Sequence, residues 1–201
     1  CNYNLVLTGA DGIMETRNFL QNFITNETTY ENVLFMDDDL DSIYKMDKVL
    51  EDLDKFIIDA FSTTKALGLN IFGVSPFHNS FYMKDNITTT LKYICGAFFG
   101  QIFDRDKDMI LSDIGHGEDF QFSIQTFIRD GGVVRFNYVA IKTKYFETEG
   151  GICGSLGGME ARQIEMEENC KWLVSQYPSA CRLIKKKYGY DVRLNWRYKN
   201  K

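Results

Sequence analysis

The stretch Val33-Leu34-Phe35-Met36-Asp37-Asp38-Asp39-Leu40 constrains this chain most. Four apolar residues run straight into three carboxylates. The run has no helical period and holds no Gly or Pro, so it reads as a short buried strand. A strand apolar on both faces belongs inside a sheet covered by helices. In α/β sheets the carboxyl ends of such strands open into the ligand crevice. Asp37, Asp38 and Asp39 are therefore expected at the mouth of a site. Adjacent carboxylates repel one another, and a cation relieves that repulsion. Their hard oxygens suit Mg²⁺ or Mn²⁺, especially where diphosphate oxygens complete the shell. A solvated acidic turn is the plain structural alternative. An EF-hand loop is excluded, because after Asp37, Asp39 and Asp41 the sixth position is Ser42 instead of Gly and the twelfth is Lys48 instead of Glu.

The flanking sequence predicts an α/β fold with a mixed, mainly parallel sheet flanked by helices. Tyr3–Thr8 looks like a strand, Gly9–Gly12 a turn, and Ile13–Ile24 a helix. With the Val33–Met36 strand they make a βαβ unit. Lys45–Leu67 carries an apolar stripe of Met46, Val49, Leu50, Leu53, Phe56, Ile57 and Ala60, which reads as a helix ended by Gly68. Asn70–Val74 is a strand closed by Ser75-Pro76, and His78–Asp85 a loop with aromatics. Thr88–Ile94 is β-rich and Gly96–Phe103 is its partner or a kinked edge. A helix over Asp119–Arg129 is ended by Asp130-Gly131-Gly132. Val133–Tyr145 makes one or two strands. Met159–Gln176 and Ser179–Lys187 are helices, and Asp191–Trp196 a last strand. Five glycines between Glu149 and Gly158 suit a mobile lid or a plain linker equally.

At 201 residues, 44% hydrophobic and 25% charged, the chain suits one well-buried domain over residues 1–201. No apolar run is long enough to span a membrane, and no secretory signal is visible. A formal charge of −5 disfavours a surface built to hold nucleic acid through its phosphates. Cys1, Cys95, Cys153, Cys170 and Cys181 show no CxxC spacing and are odd in number, so free thiols in a reducing, cytoplasmic setting are expected. The sequons at Asn26 and Asn86 are short enough to arise by chance.

A second acidic feature, Asp113-Ile114-Gly115-His116-Gly117-Glu118-Asp119, opens a helix. Three elements then stand in order: Gly12-Ile13-x-x-x-Arg17-Asn18 on a helix, an apolar run into Asp37-Asp38-Asp39, and Gly117-Glu118-Asp119. Over about Asn4–Tyr145 this arrangement resembles the GT-A glycosyltransferases. The run Thr143-Lys144-Tyr145-Phe146 with Gly150-Gly151-Ile152, then Tyr177-Pro178 and Gly189–Leu194, is similar to glycosyltransferases of large DNA viruses and phages. Those are the chlorovirus enzymes that build capsid-protein glycans and, second, the TET-associated group that glycosylates hydroxymethylated DNA bases. The acidic balance favours a glycan acceptor over DNA. A phosphatase of the haloacid dehalogenase type also uses a strand-end Asp-x-Asp, but it usually has Thr or Val where this chain has Asp41. A non-catalytic α/β binding module is the competing class.

The resemblance implies a Rossmann-like GT-A fold and a nucleotide-diphosphate sugar donor of UDP or GDP type. It implies a glycan or protein hydroxyl as acceptor, and a divalent metal held against the diphosphate. Asp37 and Asp39 would ligate Mn²⁺ or Mg²⁺. Arg17, Asn18, Asp37 and Asp38 would contact the donor. Asp119, or failing it Glu118, would be the base that takes the acceptor proton. The family usually has a strand and helix ahead of the strand before the Arg-Asn helix. Here Tyr3 follows Cys1 almost at once, so that unit is expected to be absent or shortened.

The same chemistry can be stated without the resemblance. Breaking a sugar–phosphate bond puts negative charge on the leaving diphosphate, and a divalent cation stabilises it. Arg17 can grip a phosphate or a buried carboxylate, or be a surface helix charge. Asp119 can act as a base, or simply cap its helix. His116 beside glycines reads as a solvated loop residue. Lys142 and Lys144 can face a diphosphate, but solvated strand charges fit as well. Phe77, Phe81 and Tyr82 suit sugar stacking or the core, and Trp172 suits packing.

Overall fold

The computed structural model describes residues 5–143, 159–186 and 189–199. The first helix, α1 (Gly12–Glu27), leads into β1 (Asn32–Met36). β2 (Leu40–Lys45) and β3 (Lys48–Val49) form a hairpin ahead of α2 (Leu53–Ala66). Next come β4 (Ile71–Ser75), β5 (Ile87–Thr88), β6 (Phe98–Ile102), α3 (Glu118–Asp130) and β7 (Val134–Thr143). The chain continues with α4 (Met159–Gln176), β8 (Cys181–Lys186) and β9 (Gly189–Leu194).

Seven strands form one sheet in the order β1-β6-β4-β7-β2-β3, with β5 also on β7. The fold is α/β with a mixed sheet flanked by helices, but the sheet is not mainly parallel. Among the described residues only β4 and β7 pair in parallel. β6 runs antiparallel between β1 and β4, and β2 pairs antiparallel to β7. The alternation still leaves β1, β4 and β7 pointing the same way. Their carboxyl ends therefore share one edge of the sheet with the start of β6.

Asp37, Asp38 and Asp39 connect β1 to β2, which do not pair and are separated by three strands in the sheet order. β7 makes this possible. It pairs with β4 from Val134 to Phe136 and again at Ala140, opposite Ser75, and with β2 from Val139 to Thr143. A shift in register between Val74 and Ser75 marks an irregularity in the β4 pairing.

Two apolar clusters cover the sheet. One gathers Ile24 of α1, Ile124 and Phe127 of α3, Leu173 of α4 and Val192 of β9 on Phe35, Ile71 and Phe99. The other seats Phe56 and Ala60 of α2 on Phe72, Val74, Phe98 and Phe136. The β8–β9 hairpin thus shares a core with the main sheet.

Several expected elements differ. Residues 5–8 pair with no strand, and Leu5 and Leu7 stay exposed, so the βαβ unit is not formed among the described residues. β-propensity makes a strand only where a neighbouring ladder accepts its N–H and C=O groups. The helix expected from Lys45 begins at Leu53. Met46, Val49 and Leu50 extend the helical spacing on paper, but the Asp52 side chain caps the real start by accepting from Lys55 N at 2.8 Å. Thr88–Ile94 contributes only the end of β5. Ser179–Lys187 was expected to be helical, yet Cys181–Lys186 is a strand, because β9 supplies a partner that outweighs the helix propensity of Arg, Leu and Lys. The glycine-rich stretch from Glu149 to Gly158 and Lys144 lie outside the described residues. Cys95, Cys170 and Cys181 are buried free thiols. Among the described residues no helix is long and apolar enough to cross a membrane.

Candidate functional site

α1 is locked in rotation over β6 by a reciprocal amide pair. Gln21 Nε2 donates to Gln101 Oε1 at 2.7 Å, and Gln101 Nε2 donates back at 3.0 Å. Both side chains are buried, so losing either would leave the other amide unpaired. One turn earlier on the same face stands Arg17. Its Nη2 donates to Asp37 Oδ1 at 3.0 Å and to the Gly96 carbonyl at 2.7 Å. Its guanidinium lies 5.6 Å from the Phe99 ring centre and 5.9 Å from that of Phe35, within cation–π range. Arg17 is therefore an interior side chain and not a surface helix charge. Next to it, Asn18 clamps Ser112: Nδ2 donates to its carbonyl at 2.9 Å and Oδ1 accepts from its N–H at 2.8 Å.

That clamp aims the segment before α3. Gln121 reaches back to the same segment, accepting from Asp113 N at 2.9 Å and donating to Asp113 Oδ2 at 2.6 Å. Gly117, at φ +82°, turns the chain into the helix in a conformation that suits glycine. Glu118 and Asp119 then enter the cleft. The Asp119 carboxylate is fully engaged. Oδ2 accepts from the Tyr93 hydroxyl and from Gly96 N at 3.3 Å, and Oδ1 from Phe120 N at 2.9 Å. The Glu118 side chain makes no hydrogen bond to another residue among the described residues, only one from its own backbone N–H, and faces a cavity of about 20 Å³ with Arg17, Gln21 and Ser112, room for a water.

Gly96 is the hinge of the arrangement. A methyl group on it would lie 3.3 Å from Arg17 Nη2, 3.6 Å from Glu118 Oε1 and 3.7 Å from Asp119 Cβ. The three motifs of the sequence thus converge around one glycine. Tyr93, Gly96, Ser112 and Gln121 were not singled out as site residues from the sequence, because their parts are played through backbone groups or through a bond to Asp119.

Buried carboxyl groups crowd the site, and burial is the main cause of their raised pKa values. Burial raises the Asp37 pKa, Asp39 and Asp38 add to the rise, and Arg17 opposes it. Burial, then Asp119, pushes Glu118 up to about 8. Burial also raises Asp119, against the hydrogen bonds it accepts. Burial, and then the Asp119 charge, lift Tyr93 well above the usual tyrosine range. Excess negative charge of this kind is relieved by protons or by a cation.

Among the described residues no three His, Cys, Asp or Glu side chains converge on a point able to hold a metal ion. Two carboxylates remain. Asp37 Oδ2 accepts no hydrogen bond among the described residues, and Asp39 is near enough to raise the Asp37 pKa. Two such oxygens fit a hard divalent ion that keeps the rest of its shell as water or phosphate oxygen. Asp38 is exposed on the turn.

Other expected contributors lie elsewhere. Lys142 pairs with Asp41 at 3.1 Å. His116 is partly buried in the loop before α3. Phe77, Phe81 and Tyr82 are exposed, which removes the core role. Trp172 packs against the first apolar cluster. A larger recess of about 400 Å³ between the β2–β3 hairpin and α2 carries mixed charge from Lys45, Lys55 and Asp59 and shares no residue with the Arg17 cleft. Compared with known families, curated proteins and solved structures, the chain has no match in any of the three.

Proposed function

We propose that this chain is a metal-dependent glycosyltransferase that moves a sugar from a UDP- or GDP-type nucleotide sugar to a hydroxyl of a glycan or protein. The observation that supports this best is the double grip of Arg17 on Asp37 and on Gly96. It ties the acidic turn to the backbone facing Glu118 and Asp119. A leaving-group end and a proton-accepting end are thereby set on either side of one small space.

Asp37 and Asp39 would hold Mn²⁺ or Mg²⁺, which when bound supplies charge for the leaving diphosphate. Arg17 holds the Asp37 carboxylate in place and offsets part of its charge. Asn18 positions the Ser112 segment from which α3 departs. Asp119 anchors α3 to Gly96 and Tyr93. Its oxygens are already occupied, so we assign the base to Glu118, which reverses the order of preference drawn from the sequence. A carboxyl with a pKa near the working pH is suited to taking a proton from an acceptor hydroxyl.

The test is Asp39→Ala, assayed for Mn²⁺-dependent donor cleavage and transfer. The expected result is a loss of about 100-fold or more with an unchanged circular dichroism spectrum. Undiminished turnover would contradict the metal assignment. A folded wild-type protein that binds nucleotide sugars without turnover would mark a binding module instead.

A further inference from the structure

Arg135 on β7 is a partly buried cation that lacks a carboxylate partner among the described residues. Its Nη1 reaches the Tyr93 carbonyl at 3.3 Å and its Nη2 reaches Ser75 Oγ at 3.4 Å, both long contacts. Its Nε is buried and has no hydrogen-bond partner among the described residues. A guanidinium offers five donors in a rigid fork that matches carboxylate and phosphate oxygens. Here that capacity is largely unspent.

Two lysines stand beside it. Lys92 adjoins Tyr93, whose carbonyl Arg135 contacts. Lys84 is held to β7 through its N–H, which donates to the Asn137 carbonyl at 3.2 Å, two residues from Arg135 on the same strand face. Neither lysine forms an ion pair among the described residues. Burial lowers the Lys92 pKa, and the charges of Arg135 and then Lys84 lower it further. Three like charges brought together without a counter-charge are costly unless an anion joins them.

The position of the cluster says which anion. Ser75 closes β4 at the same sheet edge as Asp37 and Gly96, and Ser75 Oγ also contacts the carbonyl of the exposed Phe77. Tyr93 links the two: its carbonyl meets Arg135 and its hydroxyl meets Asp119. A group bound at Arg135 therefore lies one tyrosine length from the Asp119 carboxylate. We infer that Arg135, Lys92 and Lys84 form a subsite for a carboxylate or phosphate carried by the sugar acceptor; the word acceptor rests on the glycosyltransferase reading, whereas the anion site does not. The acceptor class is then an acidic saccharide, a uronic acid or a sugar phosphate, with Phe77 available to stack on its ring.

Calorimetric titration of the full chain with methyl glucuronide, glucose 6-phosphate and methyl glucoside tests this. Both anionic sugars are expected to bind, and the one bound more tightly identifies the source of the charge. Lys92→Gln and Arg135→Gln should each weaken that binding about tenfold, while the neutral glucoside gains nothing from either cation. Lys84 is exposed, so Lys84→Gln provides a variant whose folding is secure, expected to weaken binding several-fold. Failure of both anionic sugars to bind wild type would overturn the subsite, as would binding to Lys92→Gln and Lys84→Gln as tight as to wild type. Loss of anion binding in Asp39→Ala but not in the lysine variants would place the anion on the acidic turn and also overturn it. The glycosyltransferase reading is judged separately, by donor cleavage in the Asp39→Ala assay.

Discussion

At the scale of single residues, Glu118 links stability to pH. Its carboxyl titrates near 8 in the folded chain, raised mainly by burial and then by Asp119. Unfolded, it would titrate near the ordinary glutamate value, about 4.3. Between these values the folded chain holds a proton that the unfolded chain has lost. Stability therefore falls as pH rises through that window, and the loss is complete above the folded value. Glu118→Gln removes the titration. The variant should lose less stability than wild type between pH 5 and pH 8, as read from urea midpoints at the two values. Equal losses in both proteins would refute the assignment of the raised pKa to Glu118. If the chain transfers sugar as proposed, the wild-type rate should rise toward pH 8 as Glu118 ionises. Asp37 was legible in the sequence because a carboxylate at the end of an apolar run faces an edge or a cleft. Arg17 and Glu118 were singled out only through the motif resemblance, with a surface helix charge weighed equally for Arg17 and Asp119 preferred to Glu118. Tyr93 and Gly96 were not legible, since a backbone carbonyl or a missing side chain leaves no chemical signature in one sequence.

At the scale of elements, β4 and β6 are held together by a close approach that only glycine permits. A methyl group on Gly100 would lie 2.1 Å from the fully buried Phe72 ring, which also meets Phe61 and Phe136 edge-on. Gly100→Ala should destabilise the fold by about 3 kcal/mol, measured as a drop in urea midpoint. An unchanged midpoint would show that the ring has room to turn. The elements best legible in the sequence were those with one strong period and a clear stop. α1, α3 and β4 are of this kind, and Gly131 ends α3 with its N–H on the Phe127 carbonyl. β2, β3 and β8 were missed for a common reason. Each is short, and each is a strand because of a partner outside its own segment: the distant Val139–Thr143 for β2, β2 itself for β3, and the following Gly189–Leu194 for β8. Local periodicity does not contain that information.

At the scale of the whole molecule, strand direction matters more than strand pairing. A parallel sheet was expected from the helix-and-strand alternation, and β6 and β2 break it. Yet β1, β4 and β7 keep a common direction, so the edge predicted to bear the site still bears Asp37, Ser75, Gly96 and the start of α3. The cleft at that edge is lined by Arg17, Gly96, Glu118 and Asp119, and Arg17 ties it to the acidic turn. In the reading proposed above, the acidic turn takes the metal of a donor diphosphate and the Arg135 cluster an anionic acceptor. The most direct test is a thermal-shift titration of the full chain with UDP, GDP and their sugars, with and without Mn²⁺, in wild type and in Asp39→Ala. A ligand that binds only the folded state raises Tm by mass action. The account predicts a rise of about 5–10 °C at a hundredfold excess over Kd for one nucleotide class, dependent on Mn²⁺ and absent in Asp39→Ala. A shift indifferent to Mn²⁺ and equal in Asp39→Ala, or no shift with any nucleotide, would contradict it.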